Sequence, residues 1–339
     1  MITIDGSQGE GGGQVLRSAL ALSMVTGQPF VIDNIRAGRS KPGLMRQHLT
    51  SVDAARSVCE GGVMGAELGS TRLEFTPGKI RGGEYSFAIG TAGSTTLVLQ
   101  TILPALVTAS SPSTVILSGG THNMYAPSVH FLQHAFLPLV QRMAPSVNFE
   151  LERHGFYPAG GGRIRVGIEP SEKLIPIELF EATPVVGRRA IATIAGLPGS
   201  IAKRELAVLS ERLGWPMDCL RIDQINDDMG PGNILSIEVT RQDMTEVFTG
   251  FGERGISAEA VAANTAHDVK RYLAADVPVW EYLADQLMLP LALAGGGGYL
   301  TGPLSRHSET NADVIEAFLD VKVHRVVGDD GRVVVRILG

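Results

Sequence analysis

The sequence predicts a mixed α+β protein made of three α/β-type repeats, each β-α-β-α-β-β, with a smaller α/β domain inserted late in the chain. Glycine is frequent, at 41 of 339 residues, and is concentrated in clusters along the chain. Paired helical segments with apolar residues at i, i+3, i+4 and i+7 recur three times, and strand-like runs lie between or after them. One stretch near residue 200 breaks this order, which indicates the insertion.

The helical pairs define the three repeats. The first helix of each pair is predicted at 11–27, 92–109 and 278–295, and the second at 43–61, 128–144 and 311–321. The strand-like runs are MITID, FVIDNI, RLEFTPG, STVILSGG, RIRVGIEP and RVVVRIL. Their β-branched residues favour extended structure.

The stretch 185–275 is read in the order β-α-β-β-β-α, unlike the repeats. We therefore predict one large domain from 1–184 and 276–339, and an inserted small domain at 185–275. GFGERG at 250–255 matches a dinucleotide-binding pattern, but it follows adjacent strands and no parallel partner strand is evident. The context favours a tight turn before a helix at 257–274.

The composition sets limits on function. Hydrophobic residues make up 44% and charged residues 19%, so a large core is expected and disorder is not. The net charge of −6 argues against a non-specific duplex binder, which would be basic. Two distant cysteines fit a reducing compartment. With no signal peptide and no membrane-length apolar run, we expect a cytoplasmic protein.

Common catalytic motifs are missing from the sequence. There is no G-x-x-x-x-G-K-[ST] phosphate loop and no G-x-S-x-G nucleophile elbow. HFLQH places His130 and His134 at zinc-pair spacing, but the glutamate of the zinc-protease motif is absent and no third ligand is suggested. Ordinary surface or boundary histidines are the favoured interpretation.

Two polar segments are candidates for anion binding. In SQGEGGGQVLRSA (7–19), a glycine loop opens a helix and carries Glu10, Gln14 and Arg17. In IRAGRSKPGLMRQHL (35–49), the densest basic cluster of an acidic chain lies around one loop and helix start; its residues are Arg36, Arg39, Lys41, Arg46, Gln47 and His48. Arginine holds phosphate through paired hydrogen bonds, although a solvated loop explains the second segment equally well.

The stretch GGGGYLTGPLSRHSETNAD (295–313) places His307 beside a helix start. We predict the helix in TNADVIEAFL, with Thr310 or Asn311 as N-cap and a capping box from Thr310 to Asp313. The positive end of that helix would favour a neutral, nucleophilic ring and would also attract phosphate. A surface loop histidine remains the alternative from this stretch alone.

Taken together, the motifs resemble the RNA 3′-terminal phosphate cyclase family. EGGGQVLRSALALS and HGFYPAGGG are the most distinctive, and the resemblance covers essentially the whole chain in the family's order. The other matching segments are IRAGRSKPGLMRQHL, FAIGTAGSTTLVLQTILPAL, DDMGPGN, EYLADQLMLPLALAG and the histidine segment. Met229 stands where the family has glutamine, but it lies in the insert and is not expected to abolish catalysis.

The resemblance implies a fold and an activity. The three repeats would surround a pseudo-threefold axis, with helices inside and sheets outside. The activity would be that of a ligase acting by nucleotidyl transfer: a histidine takes AMP from ATP, AMP passes to an RNA 3′-phosphate, and the 2′-hydroxyl then closes a 2′,3′-cyclic phosphate. ATP and Mg²⁺ or Mn²⁺ are implied, with low RNA sequence specificity and no membrane partner.

The resemblance also implies roles for single residues. His307 matches the adenylylated histidine, and Glu10 and Asp285 match metal ligands. The residues that match ATP contacts are Gln100, Tyr282, Leu283, Ala284, Asp285, Gln286, Glu10, Gln14 and Arg17, with Pro127, Phe248 and Phe251 as candidates for adenine stacking. The polar cluster for phosphates and the RNA end is Gln14, Arg17, Arg36, Arg39 and Gln47.

Two alternatives remain open at the level of sequence. Non-catalytic, cyclase-like RNA-binding proteins of ribosome biogenesis would share the fold, but those proteins lack the histidine that is present here as His307. An enolpyruvyl transferase would share the repeat, but it would be longer and would not explain the insert or EYLADQ. The proposed site residues come from different repeats, so they meet only if the repeats pack about a common centre.

Overall fold

The computed structural model describes residues 1–225 and 230–339. Within these ranges the chain forms four four-stranded sheets with helices packed against them, which confirms the mixed α+β class. Met229, the departure from the family's signature, lies outside the described residues. No helix in these ranges has both the length and the hydropathy needed to cross a bilayer.

The first sheet comes from the N-terminal quarter of the chain. Its strands are β1 (Ile2–Asp5), β2 (Phe30–Asp33), β3 (Gly62–Met64) and β4 (Leu73–Thr76), and its helices are α1 (Gly13–Thr26) and α2 (Arg46–Cys59). The strand order is β1-β2-β4-β3, with β1 and β2 parallel and the other pairs antiparallel.

The second sheet follows directly. It contains β5 (Glu84–Ala88), α3 (Thr95–Leu106), β6 (Ser113–Gly119), α4 (Val129–Phe131), a π-helical turn (Leu132–Phe136), α5 (Leu137–Gln141), β7 (Ser146–Arg153) and β8 (Gly162–Glu169). Its order is β5-β6-β8-β7, with the same sequence of parallel and antiparallel pairs. Alternating burial along β6 and β8 shows that one face covers a core.

After β9 (Glu178–Leu179), the chain enters a sheet of different topology. It consists of β10 (Val185–Ala195), α6 (Ser200–Leu213), a 3₁₀ turn (Met217–Cys219), β11 (Leu220–Ile225), β12 (Gly232–Arg241), β13 (Thr245–Phe251) and α7 (Ala258–Ala275). The order β11-β10-β12-β13 places the first strand inside the sheet. GFGERG begins in β13, which pairs antiparallel with β12, and ends in a turn at Gly255 (φ +87°) before α7.

The chain then returns to the first pattern. It adds α8 (Glu281–Leu293), β14 (Gly296–Thr301), α9 (Arg306–Phe318), β15 (Lys322–Val327) and β16 (Val333–Leu338). The sheet order is β9-β14-β16-β15. Three sheets of the described chain therefore share one strand order and one set of directions, with the different sheet interposed between β9 and α8. The symmetry axis and the domain boundaries at 184/185 and 275/276 stay predictions.

Helix α1 lies at the centre of the fold. It packs against α2, α3 and α9. Its polar residues occur mainly in its first two turns, and from Ser18 to Met24 the helix is buried on every side. It ends at Gly27, whose left-handed backbone lets its N–H bond to the carbonyl of Ser23. This packing brings the first turn of α1 beside α8 and α9.

The start of α9 differs from the sequence prediction. Helix α9 begins at Arg306 with Ser305 as N-cap, so the predicted N-cap at Thr310 or Asn311 is wrong. Ser305 Oγ accepts the N–H of Ser308, which provides the cap one turn earlier. Thr310 instead donates to the carbonyl of Arg306 within the helix.

Candidate active site

The first turn of α9 presents His307 to solvent. Ser305 caps the helix two residues before His307, so His307 lies inside the first turn rather than before the helix. Its side chain is 48% exposed. A ligand can therefore reach the ring without movement of the core.

Gln14 sets which ring nitrogen of His307 carries the proton. The Gln14 amide nitrogen donates to Asp285 Oδ1 at 2.7 Å, and its oxygen lies 2.8 Å from His307 Nδ1. Since this oxygen can only accept, Nδ1 must be the donor. The proton is thus held on Nδ1, and Nε2 carries the free lone pair that a nucleophile needs.

Asp285 is the centre of a longer chain of hydrogen bonds. It is only 6% exposed, and its second oxygen accepts the Gln286 amide at 2.8 Å. Gln286 in turn accepts a hydrogen bond from Gln100. Burial raises the pKa of the Asp285 carboxyl, and the hydrogen bond from Gln14 acts in the opposite direction. The chain links His307, Gln14, Asp285, Gln286 and Gln100 from four helices.

Two buried polar residues, Asn311 on α9 and Ser18 on α1, support this chain of hydrogen bonds. Asn311 donates to the backbone carbonyl of Asp285 at 3.0 Å and accepts from Ser18 at 2.8 Å. Both side chains are buried, so these bonds tie α9 to α8 and α1. Ser18 and Asn311 were not among the site residues predicted from the sequence. Spacing could have indicated Asn311, because it lies four residues after His307 on the same helical face.

The loop before α1 places Glu10 near the histidine. The Glu10 N–H donates to Thr310 Oγ1 at 2.9 Å, and the Glu10 carboxylate lies 4.0 Å from His307 Nδ1. Arg39 forms an ion pair with the same carboxylate. Gly9 has φ +59°, and a Cβ there would lie 2.0 Å from Thr310 Oγ1. Only glycine allows this approach of loop to helix.

Arg17 and His48 form a corner of hydrogen-bond donors beside the start of α1. A Cβ on Gly13 would lie 2.4 Å from His48 Nε2 and 2.8 Å from Arg17 Nη1, so both groups crowd this backbone. Burial lowers the pKa of Arg17 to about 10, which leaves it charged at neutral pH. Burial, with the nearby Arg17 charge, lowers the pKa of His48 to about 3.

The tautomer of His48 is also fixed by a hydrogen bond. Its Nδ1 accepts the N–H of Met45 at 3.0 Å, so Nε2 is the protonated nitrogen of the neutral ring. A donor N–H and a guanidinium therefore lie together beside a helix start, which is an arrangement that suits an anion. The sequence places His48 in the basic cluster of the 35–49 segment, but no role in the site was predicted for it.

The residues of the 35–49 segment have different surroundings. Arg36 donates to the carbonyls of Lys41 and Gly43 at 2.7 and 2.8 Å, so it braces its own loop. Arg39 is 46% exposed and pairs with Glu10. Gln47 accepts the N–H of Ser94 at 2.7 Å and thereby joins α2 to the loop before α3.

A magnesium ion fits one of the two predicted ligands better than the other. Glu10 offers carboxylate oxygens close to His307, and such hard oxygens suit Mg²⁺. Both oxygens of Asp285 already accept amide hydrogens, so its carboxylate orients Gln14 and Gln286. Among residues 1–225 and 230–339, no three His, Cys, Asp or Glu side chains converge as a metal cluster.

The remaining predicted residues are dispersed. Tyr282 is 68% exposed at the start of α8, whereas the Leu283 and Ala284 side chains lie in the hydrophobic core. Pro127 lies in the loop before α4, where its carbonyl accepts from Thr96. Phe248 is buried in the core of the β10–β13 sheet, and Phe251 packs against a small cluster beside it. Their assigned roles stay predictions.

Comparison with known proteins identifies similar chains. The model of one family, RNA 3′-terminal phosphate cyclase, matches residues 8–325. A protein of that name from Koribacter versatilis is 53% identical over 321 residues, which cover 95% of this chain and 90% of the relative. Namesakes from Pseudomonas fluorescens and Ectopseudomonas mendocina are 52% and 49% identical, each over 95% of this chain and 94% of the relative.

Proposed function

This chain belongs to the RNA 3′-terminal phosphate cyclase family, and on that premise we propose that it converts an RNA 3′-phosphate into a 2′,3′-cyclic phosphate at the expense of ATP. The observation that carries the proposal is the hydrogen bond between His307 Nδ1 and Gln14, because it leaves Nε2 unprotonated on a ring whose side chain is half exposed. A nucleophile must have a free lone pair, and His307 is the site residue that offers one.

In the first step, His307 Nε2 attacks the α-phosphorus of ATP. A P–N bond forms, the P–O bond to the β-phosphate breaks, and pyrophosphate leaves with the electron pair. The ring keeps its proton on Nδ1 and becomes cationic, and the Glu10 carboxylate 4.0 Å away stabilises that charge. Asp285 acts through Gln14 and keeps the ring oriented.

In the second step, an oxygen of the RNA 3′-phosphate attacks the phosphorus of the bound AMP. The P–N bond breaks, His307 is released, and the RNA end carries a 3′–pp–5′A group. In the third step the 2′-oxygen attacks the 3′-phosphorus with loss of its proton, and AMP leaves. All three steps are phosphoryl or nucleotidyl transfers, which depend mainly on positioning and charge neutralisation.

The corner formed by the Arg17 guanidinium and the His48 N–H supports binding of the RNA 3′-phosphate. It lies beside Gly13, next to the residue that holds His307, so a phosphate there would be close to the nucleophile. Mg²⁺ bound at Glu10 would offset the negative charge that builds on the triphosphate. A protein with a net charge of −6 can recognise a terminal phosphate through a few basic side chains at one site, without a basic surface.

The proposal is tested by the mass of the intact protein after incubation with ATP and Mg²⁺. One added AMP is expected, with an acid-labile and alkali-stable linkage, and it should be absent in His307→Ala. A 3′-phosphorylated oligonucleotide should then discharge the adduct and acquire a cyclic end. A folded protein that takes no AMP, or that consumes no ATP with this substrate, would favour a non-catalytic RNA-binding role.

A further inference from the structure

A cleft of about 840 Å³ is lined by the loop before α2 and the first turn of α2, the 68–69 turn and the loop before α3. His48 is one of the lining residues, and its ring also lies beside Gly13 and Arg17. The cleft therefore shares His48 with the corner proposed to hold the terminal phosphate. None of the residues that line it is acidic.

The walls of the cleft are held by defined hydrogen bonds. Leu44 exchanges backbone bonds with the 69–70 turn at 2.8 and 2.9 Å, and Gln47 holds Ser94 at 2.7 Å. Gly43 has φ +76°, and a Cβ there would lie 2.2 Å from the Gly69 carbonyl. These contacts join all three segments, so the cleft is a built feature of the fold.

Two kinds of side chain line the cleft. Met45 and Leu68 are 36% and 64% exposed, which is unusual for large apolar residues lining a common cavity. Lys41 and Arg46 also line it and are exposed, and neither has an acidic partner in the part of the chain that the structure describes. Apolar contact beside unpaired positive charge matches a nucleotide, whose base is flat and largely apolar and whose phosphate is anionic.

We infer that this cleft holds the nucleotide immediately upstream of the terminal one, with its phosphate at Lys41 and Arg46 and its base against Met45 and Leu68. The inference rests on the proposed function, because it takes the terminal phosphate to bind at Arg17 and His48. A base that lies against Met45 and Leu68 must leave its own stack. The substrate class is therefore a single-stranded RNA 3′ end of at least two nucleotides, rather than a blunt duplex end.

The test is equilibrium binding, measured by fluorescence anisotropy with 5′-labelled, 3′-phosphorylated RNA. A tetranucleotide should bind the unmodified protein more tightly than a labelled single nucleotide, and a 3′-phosphorylated overhang should bind more tightly than a blunt end. Lys41→Glu/Arg46→Glu should weaken tetranucleotide binding about tenfold, and the slope of log affinity against log salt should fall by about 0.7 for each lost phosphate contact. Leu68→Ser should weaken it several-fold without a change in that slope.

A matched control is Lys203→Glu, an exposed charge reversal on α6 that should leave RNA binding unchanged. Equal loss of affinity for the single nucleotide and the tetranucleotide would overturn the inference, because the charges would then act on the terminal phosphate. Unchanged tetranucleotide binding in the double variant would overturn it as well. Adenylylation by ATP is measured separately, without RNA. A protein that is not adenylylated counts against the proposed function, whereas the binding measurements alone decide whether the cleft holds the upstream nucleotide.

Discussion

His307 and a cluster of four other histidines show two opposite uses of the same side chain. His307 is half exposed, and Gln14 fixes its proton on Nδ1. The histidine cluster, defined as His122, His130, His134 and His154, brings its rings together at centroid distances of 5.1 to 6.3 Å. The proposed chemistry therefore rests on the single ring whose tautomer is fixed by a hydrogen bond, and the larger group of imidazoles has no part in it.

Burial explains the contrast. Burial holds the pKa of His122 well below its usual range and lowers that of His130 to about 4. The Nε2 atoms of both rings are buried with no hydrogen-bond partner among the described residues. Such rings are neutral at pH 7, and their position next to the β10–β13 sheet indicates a packing role. His134 faces Glu238 of that sheet at 4.0 Å.

The largest expected effect separates the two regions directly. We predict that His307→Ala lowers enzyme–AMP formation by at least about 10³-fold, since the attacking atom is gone. The matched His134→Ala variant should keep close to full activity. Single-turnover assays with labelled ATP measure both. Loss of the adduct in His134→Ala alone would place the nucleophile in the wrong region.

Gln14 tests whether the assigned tautomer matters. Gln14→Leu removes the acceptor for the Nδ1 proton and a donor to Asp285, and we expect adenylylation to slow by about 10–100-fold. Gln28→Leu is the control, because Gln28 donates to the Phe318 carbonyl at the far end of α9. The unfolding temperatures should show that both variants fold. Equal rates in the two variants would contradict a positioning role for Gln14.

The histidine cluster should control stability in acid rather than catalysis. His130 has a folded pKa of about 4 against about 6.5 when unfolded, so its contribution is present above pH 6.5 and is lost as the pH falls towards 4. We expect the free energy of unfolding to drop by about 3 kcal/mol over that window from this residue. His130→Leu should flatten the dependence, as measured by denaturant titrations at several pH values. An unchanged pH profile would show that His130 is not the titrating group.

The smallest effect is expected at the edge of the cluster. His134 is 33% exposed, and its 4.0 Å approach to Glu238 competes with Arg189, which donates to both Glu238 oxygens at 2.7 and 2.8 Å. We predict that His134→Ala changes the free energy of unfolding by less than about 0.5 kcal/mol at pH 7. Arg189→Ala should cost more, because it leaves a buried carboxylate unpaired. A larger loss of unfolding free energy in His134→Ala would show that the contact between His134 and Glu238 stabilises the protein.

Local patterns predicted the elements better than their ends. The helix predicted at 11–27 is α1 at Gly13–Thr26, and the one at 278–295 is α8 at Glu281–Leu293. The start of α9 was missed because Thr310 and Asn311 resemble N-caps, although both point into the site. Local sequence cannot show that a polar residue is satisfied by a partner three hundred positions away.

The site itself shows where sequence-based prediction ends. His307, Gln14, Asp285, Gln286 and Gln100 were all singled out by resemblance, yet nothing in their spacing links them. Their hydrogen bonds span 293, 271 and 186 residues between partners, apart from the adjacent pair at 285 and 286. His48 and Asn311 were not assigned because their roles exist only once helices from different parts of the chain have packed together.

Residue type and periodicity are enough to establish the mixed α+β class, the interposed sheet and the family, because these depend on short-range propensity and on motifs that can be read along the chain. The state of His307 depends on the tertiary structure. Packing of α1, α8 and α9 buries Asp285, Asp285 orients the Gln14 amide, and that amide fixes the proton on Nδ1. A tautomer is set by the neighbours a ring meets in space, so only the folded arrangement assigns the lone pair to Nε2.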